Sequence, residues 1–160
     1  MSLPGAIVGG LVGTLVLNSV LVAASAFGFT RMDIPFLLGT AVSRRRGRAK
    51  VIGYALHFAF GFLFAAFYYV VFWTVGQAGW LLGALLGLVH ALFAGTALVN
   101  VLLPAVHPRM GTPYTAADEA PLLEAPGFML LNYGRATPIA TVVAHVAFGA
   151  IVGYFASPGH

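Results

Sequence analysis

The stretch RRRGRAKVIGYALHFAFGFLFAAFYYVVFWTV, residues 44–75, decides how the rest of the chain is read. It opens with Arg44, Arg45, Arg46, Arg48 and Lys50, then runs from Val51 to Val75 without a charged side chain. A bilayer core takes about 20 apolar residues per spanning helix. Val51–Val75 is therefore long enough to cross, and the basic run marks one of its ends. Three more segments have this character: about Leu3–Phe27, Gly79–Leu103 and Ala136–Phe155. Together they use over half of the chain, so residues 1–160 read as a single transmembrane domain with loops at 28–50 and 104–135. The expected fold is all-α, an integral membrane four-helix bundle.

Composition agrees. The chain is 60% apolar and 8% charged, far from the soluble norm. Its eight Lys and Arg fall in two loops on the same side of the spans. Arg31 joins the basic run in the first loop, and Arg109 and Arg135 lie in the second. Basic loops stay in the cytoplasm, so both termini are expected outside it. The first helix is expected to be retained, because it has no basic flank and is too long for a signal-peptide core. A basic cluster abutting a span meets anionic headgroups at roughly 1 kcal/mol per charge. Arg44, Arg45, Arg46, Arg48 and Lys50 are accordingly read as topology markers and lipid-headgroup contacts, with the bilayer and not nucleic acid as partner. Without cysteine, the chain has no disulfide, thiolate metal site or covalently attached haem.

The helices carry an internal repeat. Gly13-Thr14-Leu15-Val16-Leu17-Asn18 matches Gly95-Thr96-Ala97-Leu98-Val99-Asn100 in Gly, Thr and Asn. His57-Phe58-Ala59-Phe60-Gly61 matches His145-Val146-Ala147-Phe148-Gly149 in His, Ala, Phe and Gly. The order is the same in both halves: an Asn helix, then a His helix. An even number of spans per unit makes two such repeats parallel. Small residues recur every four positions at Gly53, His57, Gly61 and Ala65, at Thr141, His145, Gly149 and Gly153, and at Gly10, Thr14 and Asn18. Such stripes let helix backbones approach closely. Phe62, Phe64 and Phe67 are expected to face lipid or a partner. Tyr68, Tyr69, Trp73 and Trp80 are expected in an interfacial aromatic belt at the charge-free end.

The first loop contains Met32–Thr40, apolar after Asp33 and too short to span, which suits an interfacial half-helix. Phe128–Tyr133 in the second loop is expected at the interface too. Thr115 and Asp118 resemble a capping box that Pro121 would cut short. His107, Asp118, Glu119 and Glu124 lack helical ligand spacing and read as a solvated loop. Asp33 is expected to pair with Arg31 or with the basic run.

Chemistry is concentrated in His57, His90 and His145, which lie inside spans, where ionisable groups are functional candidates. At 1.5 Å per residue, His57 lies roughly 10 Å from Lys50 and His145 roughly 15 Å from Arg135, so the two can share a layer. Neutral imidazole ligates metals and haem iron. His57 and His145, with His90, are therefore candidate haem or metal ligands. The bland alternative is one hydrogen bond each to a neighbouring carbonyl, Thr or Asn. Asn18, Asn100, Thr14 and Thr141 are expected to make polar contacts within the bundle. A proton path would need intramembrane carboxylates or a chain of His, and no Asp or Glu lies in a span. No nucleophile has an evident base and orienting partner, so no catalytic residue is assigned.

Met32–Thr40, Arg48–Gly53 and Leu56-His57-Phe58 resemble a family of small four-span bacterial membrane proteins of uncharacterised function. The resemblance covers roughly a quarter of the chain. It implies a bacterial inner membrane and no activity. Three functions stay open: an accessory or structural subunit packing with itself or a larger membrane complex, a haem- or metal-binding protein, and a small permeation or lipophilic-ligand protein.

Overall fold

The structure is a computed structural model and describes residues 1–110 and 123–158. It is helical, with no strand among the described residues beyond one isolated bridge. Among the described residues, four helices are long and apolar enough to cross a membrane: Leu3–Ala26, Arg46–Val75, Trp80–Val106 and Thr137–Ala156. The protein is an all-α membrane protein built on them.

Local chemistry sets the ends. In α1 (Leu3–Ala26), the Ser2 side chain accepts from the Gly5 N–H at 2.9 Å, satisfying a donor the first turn leaves free. In α2 (Ile34–Thr40), Asp33 does the same for Phe36 at 2.9 Å, and Pro35 occupies the first turn. The third helix, α3 (Arg46–Val75), starts inside the basic run and stops at Gly76, whose φ of 81° is the left-handed cap that favours glycine. Next, α4 (Trp80–Phe93) passes into a π-helical segment, Ala94–Leu102, and a last turn, α5 (Leu103–Val106). A short 3-10 turn, Phe128–Tyr133, precedes α6 (Thr137–Ala156).

The helices pack in the order α3, α1, α6, α4, with α3 also touching α6. Glycine dictates these approaches. A Cβ on Gly13 would stand 2.9 Å from the Phe148 ring, and one on Gly9 2.9 Å from the Val152 backbone. Between α4 and α6, Gly83 and Gly149 each lie against the other's carbonyl, so neither tolerates a side chain. Between α1 and α3, Gly61 lies against Thr14 and Gly10 against Ala65. Gly39 and Gly53 likewise let α2 lie on the first turns of α3. Neighbouring spans run antiparallel, since Thr14 faces Gly61 where Asn18 meets His57. The Ser2 N–H donates to the Ala156 carbonyl at 2.9 Å, so α1 begins where α6 ends. Both of those ends share a side with the Gly76–Gly79 turn, and α2 and the charged side chains of the described residues lie on the other.

One packing expectation is overturned. Tyr68 is not in an interfacial belt; it is 1% exposed inside the bundle. It continues the stripe of Gly61 and Ala65 toward Phe72, and helical geometry turns all of these inward. Trp73 and Trp80 are exposed. Phe62 and Phe67 are exposed as well, but Phe64 is half-buried against His90.

Candidate functional site

All four spans contribute to one polar cluster. The Asn18 side chain donates through Nδ2 to the Thr14 carbonyl at 2.9 Å, which leaves its Oδ1 as an acceptor. His57 Nδ1 lies 3.0 Å from that oxygen and so carries the proton and donates. This bond joins α1 to α3. On α6, His145 Nδ1 lies 2.8 Å from the Thr141 carbonyl and also donates. On α4, His90 Nδ1 lies 3.3 Å from the Tyr68 hydroxyl of α3. The Phe64 ring stacks on His90 at 3.7 Å between centroids, and the His145 ring meets it edge-on at 4.7 Å. His57 shares its helix with Phe64 and Tyr68, the two side chains that hold His90.

The cluster thus gathers His57, His90 and His145 from three helices, beside Asn18 from the fourth. The tautomers of His57 and His145 follow from their acceptors: Nδ1 carries the proton and Nε2 the lone pair. Among the described residues, neither Nε2 has a hydrogen-bond partner. Metal-ligating histidines are held in this way by a second acceptor. Yet among the described residues no three His, Asp or Glu stand at the spacing of a metal site.

Of the four residues expected to make polar contacts within the bundle, Asn18 bonds to a neighbouring helix. Thr14 packs against Gly61, but its hydroxyl donates to Gly10 of its own helix at 2.7 Å. Thr141 Oγ1 is buried without a partner among the described residues. Asn100 does not approach His145. It donates to the Gly95 and Thr96 carbonyls, both at 3.0 Å, inside the π-helical segment. The widened π turn releases carbonyls from the i–4 ladder, and Asn100 and Thr96 occupy them; the Thr96 hydroxyl donates to Leu92 at 2.6 Å.

A second polar assembly covers the charged end, and His107 is its centre. It is buried rather than solvated. Its Nε2 lies 3.1 Å from the Leu37 carbonyl and 3.3 Å from the Thr40 hydroxyl, and its Nδ1 accepts from the Arg109 N–H at 3.1 Å. The Arg109 guanidinium donates to the Thr40 carbonyl. These groups occupy the carbonyls at the end of α2, which the sequence shows only as a His near a Pro-rich loop. Arg31 donates to the Asn132 carbonyl at 2.6 Å and pairs with Glu124 at 3.4 Å. Asp33 pairs with Lys50 at 3.7 Å rather than with Arg31, because α2 folds back on α3. Arg44, Arg45, Arg46 and Arg48 are exposed around the start of α3. The Thr115–Asp118 capping box, Glu119 and Pro121 lie outside the described residues.

The chain matches no protein-family model, no curated protein and no solved structure.

Proposed function

We propose that this chain is a non-catalytic membrane protein, an accessory or structural subunit that packs through α3 with a second copy or with a larger membrane complex. Its compartment is the bacterial inner membrane, with Arg44–Lys50 in the cytoplasm and both termini outside. The one-sided distribution of Lys and Arg supports that orientation. The likeness of residues 32–58 to small four-span bacterial membrane proteins supports the compartment.

The observation that carries the packing role is the uneven use of the spans. In their most apolar windows α1 and α6 are 44% buried and α3 only 17%. The α3 helix leaves Phe60, Leu63, Phe67, Val70 and Trp73 outward. Cysteine scanning tests the role, because the chain has no cysteine of its own. With Leu63→Cys, Phe67→Cys and Val70→Cys, which share one outward helical face, oxidation in native membranes should give an adduct. A doubled mass means self-association, and a larger mass means a partner. No adduct at any of the three positions sinks the reading.

The lone pairs left on His57 and His145 favour a second reading, a transition-metal site completed by side-chain rotation. Metal content of protein purified from native membranes, compared with His57→Leu and His145→Leu, tests it. Equal content in all three excludes it.

A further inference from the structure

A cleft of about 350 Å³ opens at the charged end between α1, α2 and the first turns of α3. Its walls are graded. Asn18 faces His57, and Thr14 faces Gly61. Continuing that antiparallel register puts Val22 near Tyr54 and Ser25 near Lys50. Lys50, Asp33 and Ser25 therefore stand at the mouth, and Leu21, Val22, Ile34 and the Tyr54 ring lie below them. Asn18 forms the floor, roughly 10 Å deeper at 1.5 Å per residue. Both polar ends of the Asn18 side chain are already engaged, so the floor offers no strong site of its own.

We propose that this cleft holds one anionic phospholipid, its phosphate at Lys50 and an acyl chain along Val22, Leu21 and Tyr54. Charge complementarity identifies the occupant. Arg44, Arg45, Arg46, Arg48 and Lys50 crowd the start of α3, with no acidic residue in its first turn. Among the described residues, Asp33 is the one carboxylate lining the mouth. Its pairing with Lys50 at 3.7 Å is loose and half-exposed, and its other oxygen caps α2 through Phe36. An exposed pair of that geometry holds weakly, so Lys50 can turn to a phosphate while Asp33 keeps its cap. The apolar wall below the mouth suits a chain and not a free anion.

The test is native mass spectrometry of the full chain from a non-ionic detergent, titrated with phosphatidylglycerol or phosphatidylcholine. One phosphatidylglycerol should be retained in preference to phosphatidylcholine, and Lys50→Gln should weaken it about fivefold. Val22→Trp and Ser25→Phe fill the cleft from exposed positions and leave every arginine in place. Both should remove the retained lipid. Unchanged binding in both fillings would mean the lipid sits on the arginines alone and would overturn the proposal. Equal retention of the two lipids would overturn it by removing the charge requirement. Inorganic phosphate displacing the lipid at matching concentration would overturn it by making the ligand a free anion.

Discussion

The two halves of the molecule use the same residues differently. In the first half, Asn18 of α1 accepts from His57 of α3, so Asn and His meet across the helix pair. In the second half, their counterparts Asn100 and His145 each bond to their own helix. Both halves pair an Asn helix with a His helix, yet only one makes the bond. Register explains the difference, since His145 lies against Gly87 and not against Asn100. The helix that carries Asn100 is π-helical from Ala94 to Leu102, which turns the amide onto its own freed carbonyls. Meanwhile α6 meets α4 lower down, glycine on glycine, where Gly149 lies on Gly83. A shared motif thus sets which residues are available, and the packing register sets what they touch.

The sharpest way to break this comparison is at the matched glycines. Adding a Cβ at Gly149 drives it into the Gly83 carbonyl, which is backbone and cannot move without separating α4 from α6. At Gly61 the obstacle is the Thr14 hydroxyl, a side chain that can rotate. Overpacking costs about 1–3 kcal/mol. Gly149→Ala should fall at the upper end, about 3 kcal/mol, and Gly61→Ala near about 1 kcal/mol. Unfolding in mixed micelles, followed by the fluorescence of Trp73 and Trp80, measures both. Equal losses would show that the two interfaces are equivalent after all.

The matched asparagines sharpen the comparison at lower cost. Asn18→Ala removes an interhelical bond and strands the His57 Nδ1–H, for about 1 kcal/mol. Asn100→Ala removes only contacts within one helix, and Asn100 is half-buried, so the loss should be below about 0.5 kcal/mol. The same micelle titration reads the difference. A larger loss at Asn100 would mean that the π-helical segment depends on it.

Much of this architecture is legible in the amino-acid sequence, for physical reasons. Segments such as Val51–Val75 declare themselves, because a bilayer demands long apolar runs and sorts charge to one side. Small residues every four positions reveal which faces approach, and Gly149, on one such stripe, lies against Gly83. Asn18 and His57 are on such faces too. What stays hidden depends on register and backbone detail. Nothing in the spacing announces that Ala94–Leu102 widens into a π-helix or that His90 comes within 4.7 Å of His145. Tyr68 misleads because tyrosine near a span end suits an interface, although Gly61, Ala65, Tyr68 and Phe72 continue one inward stripe. His107 carries no signal, since its partners are carbonyls of a helix distant in sequence.

The smallest effect concerns the joint between the halves at the charged end. There Thr30 bonds Thr137 at 2.7 Å, and the Arg31 N–H donates to the Tyr133 carbonyl at 2.7 Å. The Tyr133 hydroxyl donates to the Glu124 carbonyl at 2.9 Å. Partial burial pushes the pKa of that phenol above its ordinary 10.0, the Glu124 carboxylate pushes it further, and Arg31 opposes them. A raised value favours the neutral, donating form in the folded protein. The unfolded chain ionises first as pH climbs past about 10, so the stabilisation is whole below that point and lost as pH rises toward the folded value. Stability should therefore decline on the alkaline side, and Tyr133→Phe should flatten that arm while costing, at neutral pH, the one exposed hydrogen bond to Glu124. An alkaline decline of equal steepness in Tyr133→Phe would place the sensitivity elsewhere and leave the joint between the halves resting on Thr30, Thr137 and the backbone of Arg31.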